Sequence, residues 1–125
     1  MAKRKINPDA GIAAVRSVLD GSVERDVANP TFAMAVRYLL ESLAELRPGN
    51  TVEVRVPPLG ATQCVEGPTH RRGTPPNVVE MNATTWFALA VGETTWRQAV
   101  SEAKIVASGS RADISELLPL NFGLN

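Results

Sequence analysis

Few side chains in this sequence are of the kinds that carry out chemistry. The chain contains one cysteine, Cys64, and one histidine, His70, so an internal disulfide and a multi-histidine metal centre are both excluded. A catalytic cysteine needs a nearby base or helix N-terminus that favours its thiolate, and Cys64 lies in a predicted strand with no such group evident. We therefore expect no catalytic residue, no metal and no cofactor, and a protein that is not an enzyme.

Two adjacent arginines are the other chemical feature, in a loop rich in proline and glycine. Arg71 and Arg72 directly follow His70, and guanidinium groups suit a carboxylate or a phosphate. A solvated loop explains the same residues without any function. If the ligand is a fatty acid, we expect Arg71 and Arg72 at the mouth of its site, because a buried carboxylate without a partner is too costly. If they lie elsewhere, the entrance is expected near the C-terminal helix.

Composition excludes several classes of protein. Thirteen Lys and Arg balance thirteen Asp and Glu, and 44% of the 125 residues are apolar, as in soluble globular chains. The net charge of zero argues against nucleic-acid binding. No hydrophobic segment follows the basic residues 3–5, and the longest apolar run, 86–91, is far shorter than the roughly 20 residues of a transmembrane helix. The sequence predicts a soluble, cytoplasmic protein without stable membrane insertion.

Asparagine followed by proline marks two helix starts, because the asparagine side chain caps the helix and proline fits its first turn. We predict helices over 8–20 and 30–47. In the second, apolar residues recur at steps of three and four from Phe32 to Leu46, which is the spacing of one helical face. Alternating or short apolar runs predict four strands. These lie at residues 51–56, 61–66, 77–81 and 104–108.

Three more helices are predicted in the C-terminal half. Asn82 and Thr94 are candidate caps for short helices ending near residues 90 and 103, and a last helix over 110–118 would be capped by Asp113. Strands with helices before and after them predict an α+β domain, with helices packed mainly on one face of the sheet. Because the connections are short, we expect the sheet to be largely antiparallel.

One domain accounts for the whole chain. Its length suits a single core, and we place that domain at residues 8–120. Residues 1–7 are predicted to be a disordered basic N-terminus, and residues 121–125 a loose tail.

The C-terminal half resembles the signature of sterol carrier protein 2 (SCP2) domains. An aromatic-led segment over 86–92 ends in glycine, a short helix follows at 95–100, and the strand within 104–111 ends in a small-residue and glycine step. Together with the strands at 53–58 and 63–67, these features make the chain similar to the short single-domain sterol carrier family proteins of actinobacteria.

The resemblance implies a fold and a class of ligand. It implies a five-stranded sheet, one strand more than the pattern predicts, with helices enclosing an apolar cavity for a fatty acyl chain, a sterol or a similar lipid-like molecule. Asn77 stands where many relatives have an acidic residue, so a role for a carboxylate at that position is not carried over.

The residues alone leave open whether a cavity exists, because a filled core and a lined pocket use the same apolar side chains. Two functions follow. One is non-enzymatic binding or carriage of an apolar lipid-like ligand; the other is a protein-interaction, scaffolding or enzyme-accessory domain with a filled core. The sequence decides neither the ligand nor the oligomeric state. The candidate ligand-binding residues are Phe32, Val36, Leu39, Leu43, Met81, Trp86, Arg71 and Arg72.

Overall fold

The computed structural model describes residues 5–67 and 77–121, which form a four-stranded sheet with helices against one face. The helices are α1 (Pro8–Leu19), α2 (Pro30–Leu46), α3 (Ala83–Val91) and α4 (Trp96–Ser101), followed by a 3₁₀ helix at Ser115–Leu117. The strands are β1 (Val52–Val56), β2 (Gly60–Cys64), β3 (Asn77–Met81) and β4 (Ile105–Ser108).

The two long helices begin where the asparagine-proline pairs predict. The Asn7 side chain accepts a hydrogen bond from the backbone N–H of Asp9 at 2.8 Å, and Asn29 accepts one from Thr31 at 2.9 Å. Each cap satisfies a backbone donor that has no partner within its helix. The predicted starts of α1 and α2 are confirmed.

Helix α1 packs on α2 through a position without a side chain. Gly11 is buried, and a Cβ atom added there would lie 2.1 Å from Cδ1 of Tyr38. The Tyr38 ring therefore occupies the space that any other residue at position 11 would need. Before α1, the backbone N–H groups of Lys5 and Ile6 donate to the Glu41 carboxylate at 3.2 and 3.1 Å, which ties this segment to α2.

The sheet is mixed, with strand order β2-β1-β3-β4. Strand β1 pairs antiparallel with β2, β3 pairs antiparallel with β4, and the central pair β1 and β3 is parallel. The expected antiparallel arrangement therefore fails at the centre of the sheet. The reason is that β3 follows β2 in the chain but does not pair with it. Strand β3 pairs instead with the other edge of β1, and it runs opposite to β2 and therefore parallel to β1.

One face of the sheet forms the core. Val52, Val54 and Val56 of β1 are buried, while Glu53 is half-buried and Arg55 is exposed. Strand β3 shows the same alternation, as the period of two predicts. Among the described residues, the outer face of β1 and β3 stays accessible, and β4 is largely exposed.

Helix α3 closes the core over α2. The Phe32 and Phe87 rings lie 5.9 Å apart between centroids, and the indole Nε1 of Trp86 donates to the carbonyl oxygen of Val36 at 3.3 Å. Asn82 caps this helix as predicted, with Gly92 in the left-handed conformation at its end.

Two C-terminal predictions are wrong. Thr95, not Thr94, caps α4, and the helix ends before Ala103, which adopts a left-handed φ of 58°; Val100 and Ala103, predicted to face inward, are exposed. The last helix is reduced to the 3₁₀ turn, and no side chain caps it. Ala112 and Ile114 are instead buried on alternate positions of a non-helical segment.

Candidate ligand-binding groove

A groove of about 760 Å³ lies between the end of α2 and the C-terminal segment. Pockets of roughly 300 to 1,000 Å³ commonly hold small molecules, so this volume suits a small ligand. Its lining comes from stretches far apart in the chain: Leu46, Arg47, Pro48, Val52, Val65, Glu66, Ser110, Arg111, Asp113, Ile114, Ser115, Glu116 and Leu117.

One wall of the groove is held by backbone hydrogen bonds between the end of α2 and the end of β2. The N–H of Arg47 donates to the carbonyl oxygen of Leu43 at 2.9 Å, and the carbonyl of Arg47 accepts from Val65 N–H at 2.8 Å. The carbonyl of Val65 in turn accepts from Thr51 N–H at 3.1 Å. These bonds place Arg47 and Val65 on the same side of the groove.

The opposite wall is held by the buried side chain of Asn77. Its exposed fraction is 2%, its Nδ2 donates to the carbonyl oxygen of Thr51 at 2.9 Å, and its Oδ1 accepts from the N–H of Arg111 at 2.8 Å. One amide thus joins the residue before β1, the start of β3 and the segment after β4.

The groove combines an apolar base with a charged rim. Val52 and Ile114 are each 1% exposed, so they lie at its base and offer a ligand little surface, whereas Leu46 is 48% exposed and Val65 and Leu117 are half-buried. Charged residues of both signs line the same space. The Asp113 carboxylate accepts from the N–H of Ser115 at 2.8 Å. Hydrogen bonding with the Ser115 side chain, and then with this N–H, lowers the pKa of Asp113. An apolar base with a polar rim suits an amphiphilic ligand.

The predicted apolar ligand-binding residues lie in the core and not in this groove. They are 3% exposed or less and belong to one buried cluster, and none of them is among the residues that line the groove. Their part in ligand binding stays a prediction. These residues are Phe32, Val36, Leu39, Leu43, Met81 and Trp86.

Of the side chains that the sequence singles out for their chemistry, the structure describes only Cys64. Arg71, Arg72 and His70 lie outside the described residues. Cys64 is fully buried at the end of β2, and burial raises the pKa of its thiol to about 11. The thiolate that a nucleophile needs is therefore disfavoured at neutral pH.

The lining of the groove carries no pattern that the sequence alone could have revealed. Its residues come from the end of a helix, the end of a strand and a non-periodic segment after β4. The one hint was Asn77, a polar residue on the apolar face of a predicted strand, since buried polar groups are normally paired. That pairing turned out to position the groove.

No helix within 5–67 and 77–121 has the length and apolar character needed to cross a membrane. In the same ranges, no three His, Cys, Asp or Glu side chains come together as a set that could hold a metal ion.

The fold and the groove define a small α+β domain in which helices cover one face of a mixed sheet and a ligand-sized groove opens beside the C-terminal segment. A family model described as "Bacterial SCP ortholog" matches residues 28–120, and the chain belongs to this family. The predicted resemblance is confirmed over α2 and everything that follows it up to Leu120, while α1 precedes the match. No curated protein matches the sequence.

Proposed function

We propose that the protein binds and carries an apolar, lipid-like ligand in the groove between the end of α2 and residues 110–117. The observation that carries this proposal is the groove itself, about 760 Å³ in volume, with accessible apolar side chains at Leu46, Val65 and Leu117. Burial of apolar ligand surface against these side chains contributes about 25 cal/mol per Å². Membership in the SCP family supports a carrier role of this kind.

The proposal includes no chemical step by the protein. The Cys64 thiol is buried with a pKa of about 11, so it is a poor nucleophile at neutral pH. Release of the ligand then requires only opening of the groove, whose C-terminal wall is held by a short 3₁₀ helix and a non-helical segment.

The test uses two matched substitutions at exposed apolar residues. Leu46 lines the groove and is 48% exposed, whereas Val100 lies on α4, is 50% exposed and is not among the lining residues. Leu46→Glu should weaken binding of dodecanol and dodecanoate at least tenfold, since it places a charge against the ligand chain. Val100→Glu should leave both affinities unchanged.

Calorimetric titration of the purified protein measures these affinities, and native mass spectrometry of freshly purified protein shows any lipid that co-purifies. If neither dodecanol nor dodecanoate binds the parent protein, the carrier function is overturned. Equal binding by the parent and Leu46→Glu would remove the groove as the site.

The packing of the core favours a second candidate, the interaction or enzyme-accessory domain. The apolar side chains between the sheet and α2 are almost entirely inaccessible, as in an interior that is filled at normal density. Such a domain would bind neither dodecanol nor dodecanoate, so the same titrations decide between the two candidates.

A further inference from the structure

Two arginine side chains line the groove and have no charged partner among the described residues. Within residues 5–67 and 77–121, neither the Arg47 nor the Arg111 guanidinium makes an ion pair or a hydrogen bond. Arg25, by contrast, is paired with Glu93 through both guanidinium nitrogens, at 2.5 and 2.8 Å. The groove therefore holds cations that remain available to a ligand.

Arg111 is the better positioned of the two. Its backbone N–H is bound by the buried Asn77 side chain at 2.8 Å, which fixes where the residue leaves the sheet. Its guanidinium lies against Gly67, where an added Cβ atom would stand 3.3 Å from Nη1 of Arg111. Gly67 also has a φ of +151°, so a larger residue there would be strained. The absence of a side chain at Gly67 thus leaves room for Arg111.

Acidic residues in the same lining limit the charge that a ligand can bring. Glu66 and Glu116 also line the groove, and within the described residues neither carboxylate has an ion-pair partner. Asp113 lines it too, with its carboxylate already accepting from Ser115 N–H. Repulsion from these carboxylates grows in proportion to the charge of the head group, so a head group with one negative charge meets less of it beside Arg111 than a head group with two.

We propose that Arg111 receives a single negatively charged head group, a carboxylate, while the apolar chain of the ligand lies over Leu46, Ile114 and Leu117. The inference rests on the proposed carrier function and adds the class of ligand. Guanidinium and carboxylate form short, charge-assisted hydrogen bonds that are stronger than neutral ones. The groove accordingly selects monocarboxylic amphiphiles over neutral ones and over phosphorylated ones.

The experiment uses three ligands with the same twelve-carbon chain: dodecanol, dodecanoate and dodecyl phosphate. At pH 7.4 their head groups are neutral, singly charged and charged by about −1.5 to −2. Calorimetric titration of the full chain should show dodecanoate binding about tenfold more tightly than either of the others, because a hydrogen bond to a charged group is worth about that factor.

Three variants assign the preference to Arg111. Arg111→Gln should lower the affinity for dodecanoate to that for dodecanol. Arg111→Lys should keep part of the preference for dodecanoate, because an ammonium group keeps the positive charge but cannot form the two parallel hydrogen bonds of a guanidinium group. Arg97→Gln, on exposed α4 and outside the groove lining, should change nothing. Circular dichroism melting of each variant checks that the fold is intact.

The outcomes separate this inference from the carrier function. If dodecanol and dodecanoate bind equally well, or Arg111→Gln keeps the preference, the carrier function stands and the role of Arg111 is overturned. Tighter binding of dodecyl phosphate than of dodecanoate overturns the assignment to a single charge. If none of the three ligands binds, the carrier function itself fails.

Discussion

Asn77 joins three parts of the chain through one buried amide. It donates to the carbonyl oxygen of Thr51 and accepts from the N–H of Arg111, so both ends of the side chain are used. An ionised carboxylate accepts hydrogen bonds but donates none. The acidic residue that the family resemblance implies at this position could keep the contact to Arg111 and would oppose the one to Thr51.

Asn77→Asp should therefore destabilise the protein by about 2 to 3 kcal/mol at pH 7, since it leaves a buried carbonyl without a donor and adds a buried charge. The penalty should shrink at acidic pH, where a protonated carboxyl group can donate to Thr51. Urea unfolding at both pH values measures the effect. Asn82→Asp is the control, because Asn82 is exposed and caps α3, a role that aspartate fills equally well. Equal losses in the two variants would contradict the assigned role of Asn77.

Cys64 gives a prediction about alkaline pH. Its pKa is about 11 in the folded protein, against an ordinary value of 9.0, so the folded state holds the thiol proton more tightly than the unfolded chain. The resulting stabilisation is complete below about pH 9 and is lost as the pH rises through 11. It amounts to about 3 kcal/mol, since the shift is about two pKa units and each unit corresponds to about 1.36 kcal/mol.

Comparison with Cys64→Ala isolates this titration from those of other groups. Urea unfolding under reducing conditions should give a free-energy difference between parent and variant that is larger at pH 8 than at pH 10.5, by about 2 kcal/mol. A difference that does not change with pH would show that the thiol ionises as readily in the folded protein as in the unfolded chain.

At the scale of the elements, the packing of α1 on α2 depends on Gly11. Alanine is a better helix former than glycine by about 1 kcal/mol, yet a Cβ atom at position 11 would overlap the Tyr38 ring. Gly11→Ala should destabilise the protein by about 1 to 3 kcal/mol, because the helices must move apart. Ala13, exposed on the same helix, is the control.

At that exposed site alanine should be the more stable residue, so Ala13→Gly should lower the free energy of unfolding by about 1 kcal/mol. Thermal melting of both variants tests the comparison. A Gly11→Ala variant as stable as the parent would mean that Tyr38 can turn away at little cost.

Elements that depend on local signals were predictable. The caps Asn7, Asn29 and Asn82 act within three residues of where they stand, so the starts of α1, α2 and α3 follow from neighbouring residues. The last predicted helix had an equally plausible start at Asp113. Only the 3₁₀ turn at Ser115–Leu117 forms. The segment before it is held by the burial of Ala112 and Ile114 and by the hydrogen bond from Arg111 N–H to Asn77, which lies 34 positions earlier in the chain, and no local pattern shows such contacts.

In the sheet and the groove, too, local patterns predict some features and contacts between distant residues decide the others. Alternation in β1 and β3 identifies their buried faces, but the parallel pairing of Val54 with Val79 depends on which strands become neighbours. The groove needs Leu46, Val65 and Ile114 together, and these belong to three separate segments. Apolar residues that recur on one face of a helix, such as Val36, predict that this face is buried. The pattern is the same whether those residues line a pocket or fill a core.

At the scale of the whole molecule, the core and the groove meet at Val52 and Ile114, which belong to both, and otherwise use different buried residues. The core cluster lies between the sheet and helices α1 to α3 and includes Leu39, whereas the groove includes Leu46 and the C-terminal segment.

Val36→Asp should unfold the domain outright, because an unpaired buried charge costs several kcal/mol out of a total of about 5 to 15. Circular dichroism of the purified variant, with the parent as reference, measures this. Unchanged melting would show that this face of α2 is not buried.

A milder core variant, Leu39→Ala, distinguishes the groove from a ligand site inside the core. Leu39 is fully buried, so the substitution should cost about 2 to 5 kcal/mol. A ligand present at one hundred times its Kd adds about 2.7 kcal/mol to the free energy of unfolding. Because Leu39 does not line the groove, dodecanoate should add as much stability to Leu39→Ala as to the parent, and little to Leu46→Glu. Thermal melting with and without dodecanoate measures both increments. If the increment disappears in Leu39→Ala and persists in Leu46→Glu, the ligand lies among Phe32, Leu39 and Leu43, and the groove is not its site.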